Sequence, residues 1–142
     1  MTDRNLAIAA WESLFRAQHE LFSEMATDFD GTDLAQGEYD VLLTVTRAPD
    51  MTARLRDVTQ NMLISQPSVS RLIDRMVARD LVTKHPDPED GRGALIRATD
   101  AGARAFRRIA MIHGRSIAER MSGLDDDELR ALLALTERLR NR

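Results

Sequence analysis

The side chains of this 142-residue chain best suited to chemistry gather in one short stretch: Ser65, Gln66, Pro67, Ser68, Ser70, Arg71 and Arg75. No nucleophile stands beside a base there. Short hydroxyls and an amide, followed by two arginines one helical turn apart, are groups that read base edges or hold phosphate oxygens. An arginine can make a planar two-bond contact with guanine or grip a phosphate by charge. The chemistry on offer is recognition of a nucleic acid.

The elements that must position these residues follow from apolar spacing. Val69, Leu72, Ile73, Met76 and Val77 recur as one buried helical face, which turns Pro67, Ser68, Arg71, Asp74, Arg75 and Ala78 outward. Upstream, Leu55, Val58 and Met62 mark a shorter helix. Leu63-Ile64-Ser65 leaves room for a tight turn, with Ser65 as N-cap of the second helix and Pro67 in its first turn. Two short helices, a tight turn and an arginine-bearing second helix form a helix-turn-helix, whose second helix leads into the major groove with its N-terminal half. Free amides at that end also suit a phosphate.

Net charge is −3 and the pI about 5.6, which excludes a nonspecific basic coat. Positive charge is local instead. Arg54, Arg56, Arg71, Arg75, Arg79 and Lys84 outnumber Asp57, Asp74 and Asp80 in the same stretch, while Asp125, Asp126, Asp127 and Glu128 gather elsewhere. Arg54, Arg56, Lys84 and His85 are further candidates for phosphate contact.

Catalysis finds no support. The chain has no cysteine, its three histidines are scattered, and no glycine loop is built to cradle phosphate. His19 and His113 lack a clustered third ligand, so neither a metal nor another cofactor is expected. The first residues, MTDRNLAIAAWESLFRAQHE, lack the apolar core of a signal peptide, and no apolar run reaches membrane-spanning length. A cytoplasmic protein is expected.

Around the organising stretch the chain reads in order. Leu6 to about Asp28 form a first helix whose Trp11, Leu14, Phe15, Leu21, Phe22 and Met25 cover more surface than one small domain buries. A turn at Asp30-Gly31-Thr32-Asp33 precedes a helix from about Gln36 to Arg47, and Thr52 is placed to cap the next. Leu81–His85 and Ala94–Thr99 read as strands joined by a long tip, Pro86 to Gly93. Helices follow from about Ala101 to Met121 and from Asp125, where Asp125 and Glu128 have the spacing of a capping box. The last carries Leu129, Leu132, Leu133, Leu135 and Leu139. Apolar excess on both terminal helices predicts a homodimer.

Three stretches together resemble the MarR family of winged helix-turn-helix transcription regulators. They are Leu34-Ala35-Gln36-Gly37-Glu38-Tyr39-Asp40-Val41-Leu42; Ser65 to Met76, which fits Ser-x-x-x-Val-x-Arg-Leu-x-x-x-Met; and Pro88-Glu89-Asp90-Gly91-Arg92 followed by Thr99-Asp100-Ala101-Gly102. The sequence departs from the family pattern at Gly91, where many relatives carry arginine, and at Leu63, where glycine is frequent. The resemblance implies a mainly α fold with a small β wing in a single MarR-type domain. Residues 34–100 would be the winged helix-turn-helix lobe, and residues 1–30 and 101–142 the dimerisation helices. It implies that Arg92 meets the minor groove, with Asp90 orienting its guanidinium, and that the protein is a ligand-responsive repressor on a pseudo-palindromic operator. The family's effector pocket would draw here on Trp11, Phe15, His19, Tyr39, Arg54 and His113 and suit a small aromatic or phenolic compound. The alternative is a dimeric helical interaction or small-ligand module without specific DNA binding.

Overall fold

The computed structural model describes residues 2–63 and 65–142. Among these residues are six α-helices, α1 (Arg4–Met25), α2 (Gln36–Arg47), α3 (Leu55–Asn61), α4 (Val69–Ala78), α5 (Asp100–Arg120) and α6 (Asp126–Arg140), and two short 3-10 helices, Ala26–Phe29 and Pro49–Met51. Strands β1 (Thr52–Arg54), β2 (Val82–Asp87) and β3 (Asp90–Ala98) make one antiparallel sheet in the order β1-β3-β2. The mainly α fold with a small β wing is as expected. The chain divides into two compact units, Ala26–Ile112 and Met1–Met25 with His113–Arg142.

The first unit has a closed core. Leu34 precedes α2, which contributes Val41, Leu42 and Val45; α3 contributes Val58, and α4 contributes Leu72, Ile73 and Met76. Ile96 of β3 and Ile109 of α5 complete it. Val77, counted above with the buried face of α4, is exposed instead, because the helix contributes one narrow stripe to this core. Tyr39 packs between Phe29 and Phe106, with ring centroids 5.3 and 5.0 Å away. Burial pushes the Tyr39 hydroxyl above its ordinary pKa, with the positive charge of Arg47 opposing.

Several local expectations are corrected. Thr52 does not cap the next helix, whose N-cap is Arg54: it opens β1, pairs with Arg97 across the sheet, and donates its hydroxyl to the Asp50 carbonyl at 2.9 Å. That third strand is too short and too weakly alternating to be legible in sequence. The helix-turn-helix connection is longer than a tight turn, since α3 ends at Asn61 and α4 starts at Val69. Ile64 of the expected turn lies outside the described residues. The N-cap of α4 is Ser68, whose Oγ accepts from the Arg71 amide at 3.2 Å; Ser65 and Pro67 precede the helix. A serine three residues before an unbonded amide outcompetes one farther upstream. The wing tip is short. The strands run on to Asp87 and Asp90, which pair directly, so only Pro88 and Glu89 turn, with an irregularity between Pro86 and Asp87.

The end of α4 is a Schellman motif. The Leu81 amide reaches the Met76 carbonyl and the Asp80 amide the Val77 carbonyl, both at 3.0 Å, with Asp80 at φ 58°. A non-glycine residue is strained there. Asp80→Gly should therefore stabilise the chain by about 0.5–1 kcal/mol, read as a higher urea midpoint at constant slope.

The second unit comprises α1, α6 and the end of α5. Arg120 of α5 reaches Glu24 of α1 through Nη1 to Oε2 at 3.0 Å and Nη2 to the carbonyl at 3.4 Å. The expected capping box of α6 is present: the Glu128 amide donates to Asp125 Oδ1 at 2.9 Å and the Asp125 amide to Glu128 Oε2 at 2.8 Å. No residue of α1 or α6 is buried. Trp11 is 61% exposed and Phe15 55%, and Leu6, Leu133, Leu135 and Leu139 are exposed as well.

Candidate nucleic-acid interface

The surface that could meet a nucleic acid is built on α4. Its buried stripe fixes which way the opposite face points. Ser70, Arg71 and Arg75 are exposed there, and the successive turns of the helix bring the two arginines side by side. Ser68 has its oxygen engaged as the cap. Gln66 lies over α2: a Cβ added to Gly37 would stand 2.7 Å from its Nε2. Glycine at position 37 is what lets the Gln66 side chain lie so close.

Two acids of α2 hold this region from beneath. Asp40 Oδ2 accepts from the Leu63 amide at 2.7 Å, tying the α3–α4 connection down. Glu38, buried, takes both carboxylate oxygens to Arg79 at the C-cap of α4, while its Oε1 also accepts from the Ala35 amide at 2.9 Å. Arg79 Nη2 donates to the Asp33 carbonyl at 2.6 Å. Glu38 thus supplies the N3 half of a capping box, while Ala35 at the N-cap contributes no side-chain bond. Sequence reading counted Arg79 merely as local positive charge. The usable signal was Glu38 itself, the third residue of a helix that lacks a capping side chain.

The wing supplies the second half. Arg92 is exposed, and Asp90 Oδ1 accepts from its main-chain amide at 3.1 Å. Asp90 thus fixes the backbone of Arg92 rather than its guanidinium. His85 Nε2 lies 2.9 Å from Thr83 Oγ1, and Lys84 Nζ is 3.6 Å from Asp74 Oδ1 of α4. Arg54 belongs to the wing too. Its Nε is 3.2 Å from Asp87 Oδ2 and its Nη2 pairs with Glu89; the hydrogen bond to Glu89 and then the charge of Asp87 raise its pKa. A groove of about 420 Å³ lined by Arg54, Arg56, Gln60, Asp87 and Arg92 runs between α3 and the wing.

Pairing sorts the basic residues from Arg54 to Arg97. Arg54, Arg79, Lys84 and Arg97 are each matched to a carboxylate. Arg56, Arg71, Arg75 and Arg92 are exposed and make no ion pair among the described residues. The four uncommitted cations stand on α3, α4 and the wing.

Of the residues suggested for a small-molecule site, Trp11, Phe15 and His19 line one groove on α1, with Trp11 and Phe15 centroids 5.8 Å apart and Phe15 stacked on His19 at 6.4 Å. His113 lies half-buried in the same unit. Tyr39 and Arg54 belong to the other unit, where they have separate partners, the aromatic cluster and the wing acids. Among the described residues no group of three or more potential ligands gathers to hold a metal, and no helix is long and apolar enough to cross a membrane.

Comparison with known proteins covers the same surface. Residues 31–93, from the turn before α2 into the wing, match the model of the MarR family. An uncharacterized HTH-type transcriptional regulator of Bacillus subtilis, YkoM, is 27% identical over 122 residues, spanning 86% of this chain and 75% of its own. A MarR family transcriptional regulator from Streptomyces coelicolor, solved in complex with DNA, superposes with a TM-score of 0.80 at 18% identity over 98% of this chain and 88% of that one. BpsR of Bordetella bronchiseptica, whose DNA binding is regulated by 6-hydroxynicotinic acid, gives 0.77 at 22% identity over 92% of each chain. At such identities the superpositions speak to fold alone. The lobe spanned by residues 31–93 is thus similar to the MarR family of transcriptional regulators, whose model it matches.

Proposed function

We propose that this protein is a sequence-specific DNA-binding regulator that grips a pseudo-palindromic operator as a homodimer. The observation that carries the reading is the sorting of charge: Arg71 and Arg75 stand exposed and unpaired on α4, with Arg92 unpaired on the wing, while neighbouring cations are bound to carboxylates. Arg71 and Arg75, with Ser70 beside them, read the major groove. Ser65, Gln66, Pro67 and Ser68 shape the approach to it, the last through its cap. Arg92, its backbone fixed by Asp90, enters or skirts the minor groove, where a narrow groove concentrates negative potential. Arg56, Lys84 and His85 flank phosphates.

The exposed apolar residues of α1 and α6 favour pairing with a second copy, because a chain in water gains by covering that much hydrocarbon. Two-fold symmetry then demands two half-sites about one helical turn, ~10 bp, apart. Effector control in the direction of repression is the finer part of the reading. The aromatic groove of Trp11, Phe15 and His19 supports it, as does the regulation of BpsR by an aromatic acid.

Selection of bound duplexes from a random pool, repeated with small aromatic acids and phenols, tests these parts together. The expected result is a two-fold symmetric consensus and release by at least one compound; no enrichment over competitor would end the DNA reading. Arg71→Ala should cost about 1–3 kcal/mol of operator binding and flatten preference at one base of each half-site. Uniform weakening with preference intact would place Arg71 on phosphate instead.

A further inference from the structure

We infer that Arg54 is a positioning residue for the wing, a clamp that holds Arg92 where it meets DNA, and that it contacts no phosphate itself. The inference rests on the DNA-binding reading above and adds how the wing is held.

Asp87 is the hub. Its carboxylate is 4% exposed, although Asp87 stands at the tip of a hairpin between two prolines. One oxygen meets Arg54 Nε at 3.2 Å; the other accepts from the Glu89 amide at 2.9 Å. Glu89, itself exposed, closes the arrangement by pairing with Arg54 Nη2. Arg54 sits where β1 gives way to α3, so the guanidinium joins that junction to the two residues of the wing turn. On the returning strand, a Cβ added to Gly93 would stand 3.4 Å from the Asp87 Cβ and 3.2 Å from Asp90 Oδ2, and Asp90 in turn fixes the amide of Arg92. The ion pair of Arg54 with Asp87, the strand pairing of Asp87 with Asp90 and the bond of Asp90 to the Arg92 amide therefore link Arg54 to the backbone that carries Arg92.

Two physical points separate a clamp from a phosphate ligand. A guanidinium already facing two carboxylates sits in a site of net negative charge, and a phosphate would have to displace one of them. A two-residue hairpin turn has few apolar contacts of its own, so its angle to the body depends on such a tie. Holding the wing before DNA arrives spares the ordering cost on binding, and that gain appears as affinity. Exposed acids beside DNA ordinarily weaken binding by repulsion. Glu89 should do the reverse.

The test uses a duplex that the wild-type protein has selected from a random pool, with Arg54→Gln, Glu89→Gln and Arg92→Ala made singly and in pairs. Arg54→Gln and Glu89→Gln should each weaken binding about fivefold or more, and neither should add more than about twofold once Arg92 is alanine, since both act through it. Amide exchange across residues 85–93 should quicken in Arg54→Gln without DNA present. Because Glu89 is exposed, its variant keeps the fold and the cycle remains readable. Tighter binding by Glu89→Gln would overturn the clamp. So would an Arg54→Gln loss that persists undiminished beside Arg92→Ala with a salt slope lower by about one, the signature of a lost phosphate contact. Unchanged amide exchange in Arg54→Gln would overturn it as well. A wild-type protein that selects no duplex brings down the DNA reading and the clamp's purpose together, an outcome distinct from a selected duplex indifferent to Arg54.

Discussion

Gly102→Ala should destabilise the protein by about 3 kcal/mol or more, the mark of severe overpacking, in spite of placing a better helix former in α5. The reason is the approach of α5 to the start of β2. A Cβ at position 102 would lie 2.0 Å from the Leu81 carbonyl oxygen and 2.9 Å from its carbon. Both are backbone atoms that cannot rotate aside. That carbonyl is also fixed by the Thr99 amide and the Thr99 hydroxyl, each at 3.1 Å, and the same hydroxyl accepts from the Gly102 amide at 2.9 Å. To make room, α5 would have to withdraw by roughly 1 Å, and Ala103, Ala105 and Ile109 would lose part of their packing on a core with little slack. Helix propensity returns only about 1 kcal/mol, so the clash decides the sign. Gly114 of the same helix is the control. No atom lies within 4 Å of a Cβ built there, so Gly114→Ala should stabilise by about 0.5–1 kcal/mol. Urea unfolding of both variants reads the contrast, and equal midpoints would mean that the close approach of α5 to Leu81 is wrong.

Much of the fold was legible because one physical signal dominates it. The apolar stripes of α2 and α4 and the capping box of α6 each report a local requirement, and the bounds of α2 came out as read. What escaped was set by partners distant in sequence. Thr52–Arg54 is a strand because β3 offers it an edge, and nothing in three residues announces that. Pro86-Asp87-Pro88 has the composition of a loop, yet β2 runs on to Asp87, whose buried carboxylate meets Arg54. The α4 cap fell to Ser68 over Ser65 because both residue types suit the role, and the start of the buried stripe chose between them. At the candidate site, exposure of Arg71, Arg75 and Arg92 follows from helical phase and from the turn. Which cations are already spent on carboxylates does not. Arg54 and Arg79 read in sequence like the others, and only the fold brings Asp87, Glu89 and Glu38 to them.

Glu38→Ala should be the second large loss, about 2–3 kcal/mol, and should reach the proposed DNA-binding face of α4 as well as stability. Glu38 is 7% exposed at its side chain and accepts three hydrogen bonds: Arg79 Nη1 meets both of its oxygens, and the Ala35 amide meets one. Alanine abolishes all three contacts. It leaves the Ala35 amide at the start of α2 without its acceptor and a void where a buried carboxylate had been. The cost falls below that of breaking a fully buried pair because Arg79 is 48% exposed and can turn to water. Glu38→Gln separates the contributions. An amide oxygen still accepts from Ala35 and from one arm of Arg79, so about 1 kcal/mol should be lost instead. The same network has a second consequence. Arg79 caps α4 while bonding the Asp33 carbonyl, so it fastens the C-terminal end of α4 to the turn before α2. With Asp40 holding Leu63 in the connection that precedes the helix, α4 is fastened to α2 at its C-terminal end and that connection is fastened to α2 as well. Released at its C-terminal end, the helix should fray from Arg79 inward, quickening amide exchange at Val77 and Ala78 before Leu72 or Ile73 are affected. Exchange that rises evenly along α4 would instead mean that Glu38 supports the core as a whole and has no particular hold on the end of α4.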